Sequence, residues 1–133
     1  MGRLAAIVIP PAISGRIAVV GVCGSGKSTL AAALHLHGYD TRECAQEHSY
    51  IPDMWQRISR PQVLVYLAAA HRIVLSRLCG YVTVELYQEQ VEKLAHARAH
   101  ASIYVNTDDL TAEQVLFQVL TGLAPYHIVP RLV

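Results

Sequence analysis

Ile17-Ala18-Val19-Val20-Gly21-Val22-Cys23-Gly24-Ser25-Gly26-Lys27-Ser28-Thr29-Leu30 is the stretch that decides the fold. Its first half is an unbroken apolar run rich in β-branched residues, which suits a strand buried on both faces of a parallel sheet. Its second half, Gly21 to Ser28, has the spacing G-x-x-x-x-G-K-[ST]. Gly24 and Gly26 can take positive φ, so successive backbone N–H groups can turn inward around a phosphate without side-chain clash. A helix expected to begin at Lys27 would aim the positive end of its dipole at the same anion. Lys27 is expected to neutralise the β- and γ-phosphates and the Ser28 hydroxyl to ligate Mg²⁺. Thr29 is expected to bond near the α-phosphate, while Cys23 and Ser25 complete the loop. A strand directly before and an Ala-rich helix directly after form the context in which this spacing holds a nucleoside triphosphate.

Working outward, β-rich and helix-periodic segments alternate, the pattern of an α/β sandwich. Arg3 before the apolar run Leu4 to Ile9 raises the question of a signal peptide, but Pro10 and Pro11 cut the run short, so the segment reads as a short N-terminal strand. Gly38 stops the helix from Lys27 to His37, in the position favoured for a left-handed cap. Tyr39 to Cys44 is expected to be the second strand, and Ala45 to Arg60 a polar stretch with a helical turn starting at Pro52. Val63 to Leu67 reads as a strand, Ala69 to Leu78 as a helix, and Val84 to Ala101 as another with Val84, Tyr87, Val91, Leu94 and Ala95 on one stripe. Ile103 to Val105 is the last clear strand; Thr111 and Gln114 form a capping box for a helix closed by Gly122. The expected fold is one three-layer α/β/α domain over residues 1–133, with a mostly parallel sheet of four or five strands.

Composition narrows the partners. A net charge of +1 provides no long-range field, so neither nucleic acid nor an acidic membrane is expected. No apolar stretch approaches the ~18 residues of a spanning helix. Cys23, Cys44 and Cys79 are too scattered for a disulfide framework or a C-x-x-C knuckle, which suggests free thiols and a cytoplasmic protein. With 53% hydrophobic and only 16% charged residues, the surface leaves room for a homodimer.

From Ile17 onward the chain resembles the P-loop NTPases, in particular the small-molecule and nucleotide kinases (shikimate, gluconate, adenylate and thymidylate kinases). The likeness rests on Gly21 to Leu30, on Arg60 to Leu67 with the following helix bearing Arg72 and Arg77, and on Ala101 to Val115. The resemblance implies ATP and Mg²⁺ as cofactors, with a small-molecule phosphate acceptor; ATP is favoured over GTP because no N-K-x-D guanine motif is evident. It also implies roles by position: Arg77 before a mobile lid, Arg98 before the last strand and near the nucleotide, and acids after the second strand. Glu47 and Asp53 fill that last role as catalytic or metal-side acids, with His48 and Arg57 as substrate contacts. The chain departs from these enzymes in three places. Ala45 to Arg60 is too short for a strand plus crossover helix; the third strand ends in Ala68-Ala69-Ala70 where many relatives have an aspartate; and the lid between Arg77 and Glu85 lacks an arginine cluster. A nucleotide-binding regulatory protein, or a slow NTPase that borrows Arg57 or Arg77 across a dimer, therefore stands beside the kinase reading.

Two further constellations have simpler explanations. Glu92, His96 and His100 share a helix face, but a zinc site needs more ligands than they supply. His35 and His37 sit where imidazolium suits a helix C-terminus, and Asp108 reads as a cap beside Thr111.

Overall fold

The computed structural model describes residues 9–78 and 81–131. Four strands, β1 (Ile13–Gly21), β2 (Thr41–Glu43), β3 (Pro61–Ala68) and β4 (Ile103–Asn106), form one sheet in the order β2-β1-β3-β4. Every pairing is parallel; Ile17 lies opposite Thr41 on one side and Val63 on the other, and Val65 lies opposite Ile103. The five helices are α1 (Lys27–Leu36), α2 (His71–Arg77), α3 (Val84–Lys93), α4 (Ala95–Ala99) and α5 (Ala112–Leu123). The N-terminal strand expected over Leu4 to Ile9 lies, apart from Ile9, outside the described residues.

Strand alternation divides the core in two. Ile17, Val19, Val63, Val65 and Leu67 face α1 and α5, where they meet Leu30, Leu34, Val115, Val119 and Leu123. Ala18, Val20, Leu64 and Tyr66 face the other way, onto Trp55, Val74, Leu94 and Ala97. Helices thus cover both faces, as the continuous apolar run of β1 requires, and the fold is a three-layer α/β/α sandwich. Among the described residues, no helix is long and apolar enough to cross a membrane.

Several elements differ in extent from their sequence reading, each for a local reason. The stretch read as one helix to Ala101 breaks at Leu94 into α3 and α4, and Val84 is half-exposed while Leu94 is fully buried. The helical turn expected from Pro52 is present: Met54 N–H donates to Ile51 O at 3.2 Å and Arg57 N–H to Asp53 O at 3.1 Å, leading into the wide turn Trp55–Ser59. Buried Gln46 accepts the N–H of Trp55 at 2.8 Å and donates to Ile51 O at 2.8 Å. The capping box of Thr111 and Gln114 is present at the start of α5. Gly122 lies inside that helix instead of ending it: a Cβ there would come within 3.1 Å of Ile103, so the glycine lets α5 lie close against β4. Gly38 ends α1 at φ 89°, and its carbonyl accepts from Arg131 N at 2.8 Å, which ties down the C-terminal segment.

Candidate functional site

Because all four strands are parallel, their carboxyl ends, Gly21, Glu43, Ala68 and Asn106, lie along one edge, where open α/β sheets bind ligands. The loop from Gly21 to Gly26 leaves β1 at that edge and enters α1. Gly24 and Gly26 have φ of 80° and 98°, conformations that a side chain would strain. Gly21 is required for a different reason: a Cβ there would sit 2.5 Å from the Leu67 carbonyl and 2.5 Å from Ser25 Oγ. Ser25 N–H donates to Val22 O at 3.0 Å and closes the turn. α1 starts at Gly26 with no side-chain cap, so its first-turn N–H groups have no intrahelical acceptor. Ser25 Oγ is buried without a hydrogen-bond partner. An uncapped helix start and an orphaned hydroxyl around glycines in positive φ make a concavity suited to an anion.

Two acids complete it. Lys27 is buried, and its ammonium donates to Gly21 O at 3.0 Å, Val22 O at 3.3 Å and Glu47 Oε2 at 2.7 Å. That uses all three of its N–H bonds. Glu47, only 3% exposed, is carried by the short turn Gln46–His48, which Gln46 fixes from beneath; its Oε1 has no partner. The Ser28 hydroxyl donates to Glu43 Oε2 at 2.8 Å. Glu43 was not among the residues singled out from the sequence. The signal lay in the parallel register, which sets Glu43 opposite Val19 at the end of β2 and level with the start of α1.

No family model matches this chain, and no curated protein matches it. Its chemistry is therefore read from its own geometry.

The remaining sequence-derived residues divide between this edge and the rest of the molecule. Cys23 sits in the loop; its N–H donates to Gln90 Oε1 at 3.0 Å, and its sulfur lies 3.4 Å from His48 Nε2. Arg77 pins the loop to the end of β4, donating to Gly24 O at 3.0 Å, Thr107 Oγ1 at 2.9 Å and Thr107 O at 2.7 Å. Between them lies a cleft of about 200 Å³, lined by Ser25, Gly26, Thr29 and Arg77 on one side and by Leu110, Ala112 and Val115 on the other. Arg98 does not line it: it sits over the ring of Tyr104, 5.4 Å from the centroid, in a second cleft with Tyr66 and Tyr87 on the opposite face of the sheet. Asp53 is engaged by Arg57 at 2.9 Å, which holds its carboxyl below its ordinary value, and no contact joins it to the loop. His96 accepts from Trp55 Nε1 at 3.0 Å and stacks on exposed His100, so these two histidines lie against Trp55 at the surface. Asp108 accepts from Ala70 N at 2.8 Å, bracing the start of α2; Thr111 caps α5 without it.

The two described thiols differ in reactivity. Burial pushes the Cys44 thiol up, more than the Ser59 hydrogen bond lowers it, whereas Cys23 is partly exposed. The thiolate is the nucleophile, so a raised pKa and burial both slow alkylation. Iodoacetamide at about pH 8 should label Cys23 well before Cys44, as followed by mass spectrometry of peptides. Equal rates would show that the face behind β1 opens readily.

Proposed function

We propose that this chain binds a magnesium nucleoside triphosphate, ATP by preference, at the Gly21–Ser28 loop, and that it acts as an ATP-dependent phosphotransferase on a small molecule. The observation that carries the reading is the pairing of two acids with the two functional side chains of the loop: Ser28 with Glu43 and Lys27 with Glu47. A hydroxyl and a carboxylate are hard oxygen donors of the kind Mg²⁺ takes, so Ser28 and Glu43 would hold the ion. Bound there, Mg²⁺ supplies positive charge to the phosphate oxygens. The loop N–H groups and Ser25 Oγ bind the phosphates, and Lys27 turns from its carbonyl partners to meet them. Glu47, beside Lys27, is the acid nearest the reacting end, and Arg77 holds the loop in place across the cleft. The apolar wall of Leu110, Ala112 and Val115 offers a surface for a base. The scattered thiols fit a cytoplasmic setting.

A second reading, a nucleotide-dependent regulator with little turnover, is supported by a specific observation. Between β2 and β3 the chain makes only two short turns, which leaves no separate element to grip an acceptor, and β3 ends in Ala68-Ala69-Ala70.

Calorimetric titration with MgATP, with phosphate release followed in the same samples, tests both. The wild-type chain should bind; Ser28→Ala should weaken binding by about 10-fold, and Lys27→Ala by roughly 100-fold, as expected for losing a charged hydrogen bond. Glu47→Gln should abolish turnover while Asp53→Asn leaves it unchanged. Binding without turnover in the wild type leaves a phosphotransferase awaiting its acceptor or the regulator, which a screen of small-molecule acceptors then separates, and absence of MgATP binding removes the proposal.

A further inference from the structure

Beside the phosphate loop, three side chains of a different chemical kind converge. Cys23 Sγ and His48 Nε2 are 3.4 Å apart, His48 Nε2 is 3.7 Å from Glu47 Oε2, and the ligand atoms of all three lie within 4.8 Å of one another. Among the described residues, this is the one group of three or more such side chains close enough to share an ion. We propose that Cys23, Glu47 and His48 form a binding site for a divalent transition metal of the zinc class, separate in chemistry from the oxygen donors Ser28 and Glu43.

The distances argue for it. With zinc–sulfur bonds of about 2.3 Å and zinc–nitrogen or zinc–oxygen bonds of about 2.1 Å, a tetrahedral ion sets its sulfur and nitrogen ligands roughly 3.6 Å apart and its nitrogen and oxygen ligands roughly 3.4 Å apart. Cys23 Sγ–His48 Nε2 at 3.4 Å and His48 Nε2–Glu47 Oε2 at 3.7 Å stand within a few tenths of an ångström of those separations. Thiolate and imidazole select zinc, cobalt or copper over magnesium. Three protein ligands leave a fourth position for water or a ligand group, as in open zinc sites.

Two features around the cluster support the assignment independently. Glu47 is buried and its Oε1 has no partner, so the carboxylate keeps coordinating capacity beyond the Oε2 that both Lys27 and His48 approach. Buried Gln90 grips Cys23 twice, accepting from its N–H at 3.0 Å and donating from Nε2 to Sγ at 3.5 Å. The second contact places an amide N–H on the sulfur and fixes its direction, the role outer residues play at metal centres. His48 is largely exposed and provides the entry side. On binding, the Cys23 thiol gives its proton to solvent as the sulfur–metal bond forms.

The test is titration of the reduced full chain with Co²⁺, followed by visible absorption, with Zn²⁺ then added as competitor. One equivalent of Co²⁺ should bind with a thiolate-to-cobalt charge-transfer band, and one equivalent of Zn²⁺ should remove it. Cys23→Ser should abolish the band, and His48→Ala should weaken binding by roughly 100-fold. Gln90→Leu should weaken it about 10-fold, in the range for loss of an outer partner. Cys79→Ser and excess Mg²⁺ should leave the band unchanged. A band that survives Cys23→Ser or is lost in Cys79→Ser, displacement by Mg²⁺, or no cobalt binding would each overturn the assignment. None of these readouts depends on a nucleotide.

Discussion

Replacing Lys27 by methionine is expected to cost about 3–5 kcal/mol of stability, the usual penalty for leaving one member of a buried ion pair behind. For a chain of this size that corresponds to a fall of roughly 10 °C or more in Tm. The reason is Glu47. It is 3% exposed, its Oε1 already lacks a partner, and among the described residues Lys27 at 2.7 Å is the one cation hydrogen-bonded to it. Lys27→Met also removes a donor from the carbonyls of Gly21 and Val22, of which Val22 keeps the Ser25 N–H. The double variant Lys27→Met, Glu47→Gln removes the uncompensated charge, and most of the loss should return. Urea unfolding of the wild type, both single variants and the double variant gives the coupling directly. Additive losses would mean that the pair is not coupled and that the carboxylate is tolerated without its lysine.

The second large effect is expected at Gly21, and it is informative by contrast with Gly26. Gly21→Ala forces a methyl to within 2.5 Å of the Leu67 carbonyl, which is backbone on the neighbouring strand and cannot swing aside. β1 and β3 must part or the loop must rebuild, at about 3 kcal/mol, the upper end of typical overpacking costs. Gly26→Ala meets nothing within 4 Å, and its penalty is confined to the backbone at φ 98°. That amounts to roughly 1–2 kcal/mol. Gly21→Ala should therefore unfold at lower urea than Gly26→Ala. The reverse order would place the constraint in the dihedral instead of the strand contact.

Where the sequence was legible, the physics was local. A β-branched run, glycines that must take positive φ, and a Thr-x-x-Gln cap each act within a few residues, and each appears where its chemistry puts it. Where it was not legible, the deciding partner lay far along the chain. Glu43 reads as an ordinary acid at a strand end until the register of β2 against β1 brings it to Ser28. Gln46 looks like one more polar loop residue. Only the folded chain shows it fully buried and binding both Ile51 and Trp55, at either end of the turn that includes Pro52. Gly122 carries the mark of a helix end, but the proximity of Ile103 gives it another purpose. Arg98 and Asp53 were placed by analogy of position; Arg98 instead sits over Tyr104 in the strand that follows it, and Asp53 pairs with Arg57 at the i,i+4 spacing.

The strand order also sets a timetable. β1 lies inside the sheet, yet both of its neighbours, β2 and β3, are made after it, and each is joined by a crossover instead of a hairpin. Parallel pairings of this kind cannot nucleate locally, because the closure entropy of the intervening chain comes first. As the polypeptide leaves the ribosome, Ile17 to Val22 has emerged with its polar backbone edge unmatched well before Pro61–Ala68 exists to cover it. The segment that ends as the interior of the sheet is thus the one exposed longest during birth. Chaperone demand in this protein should be concentrated in that interval.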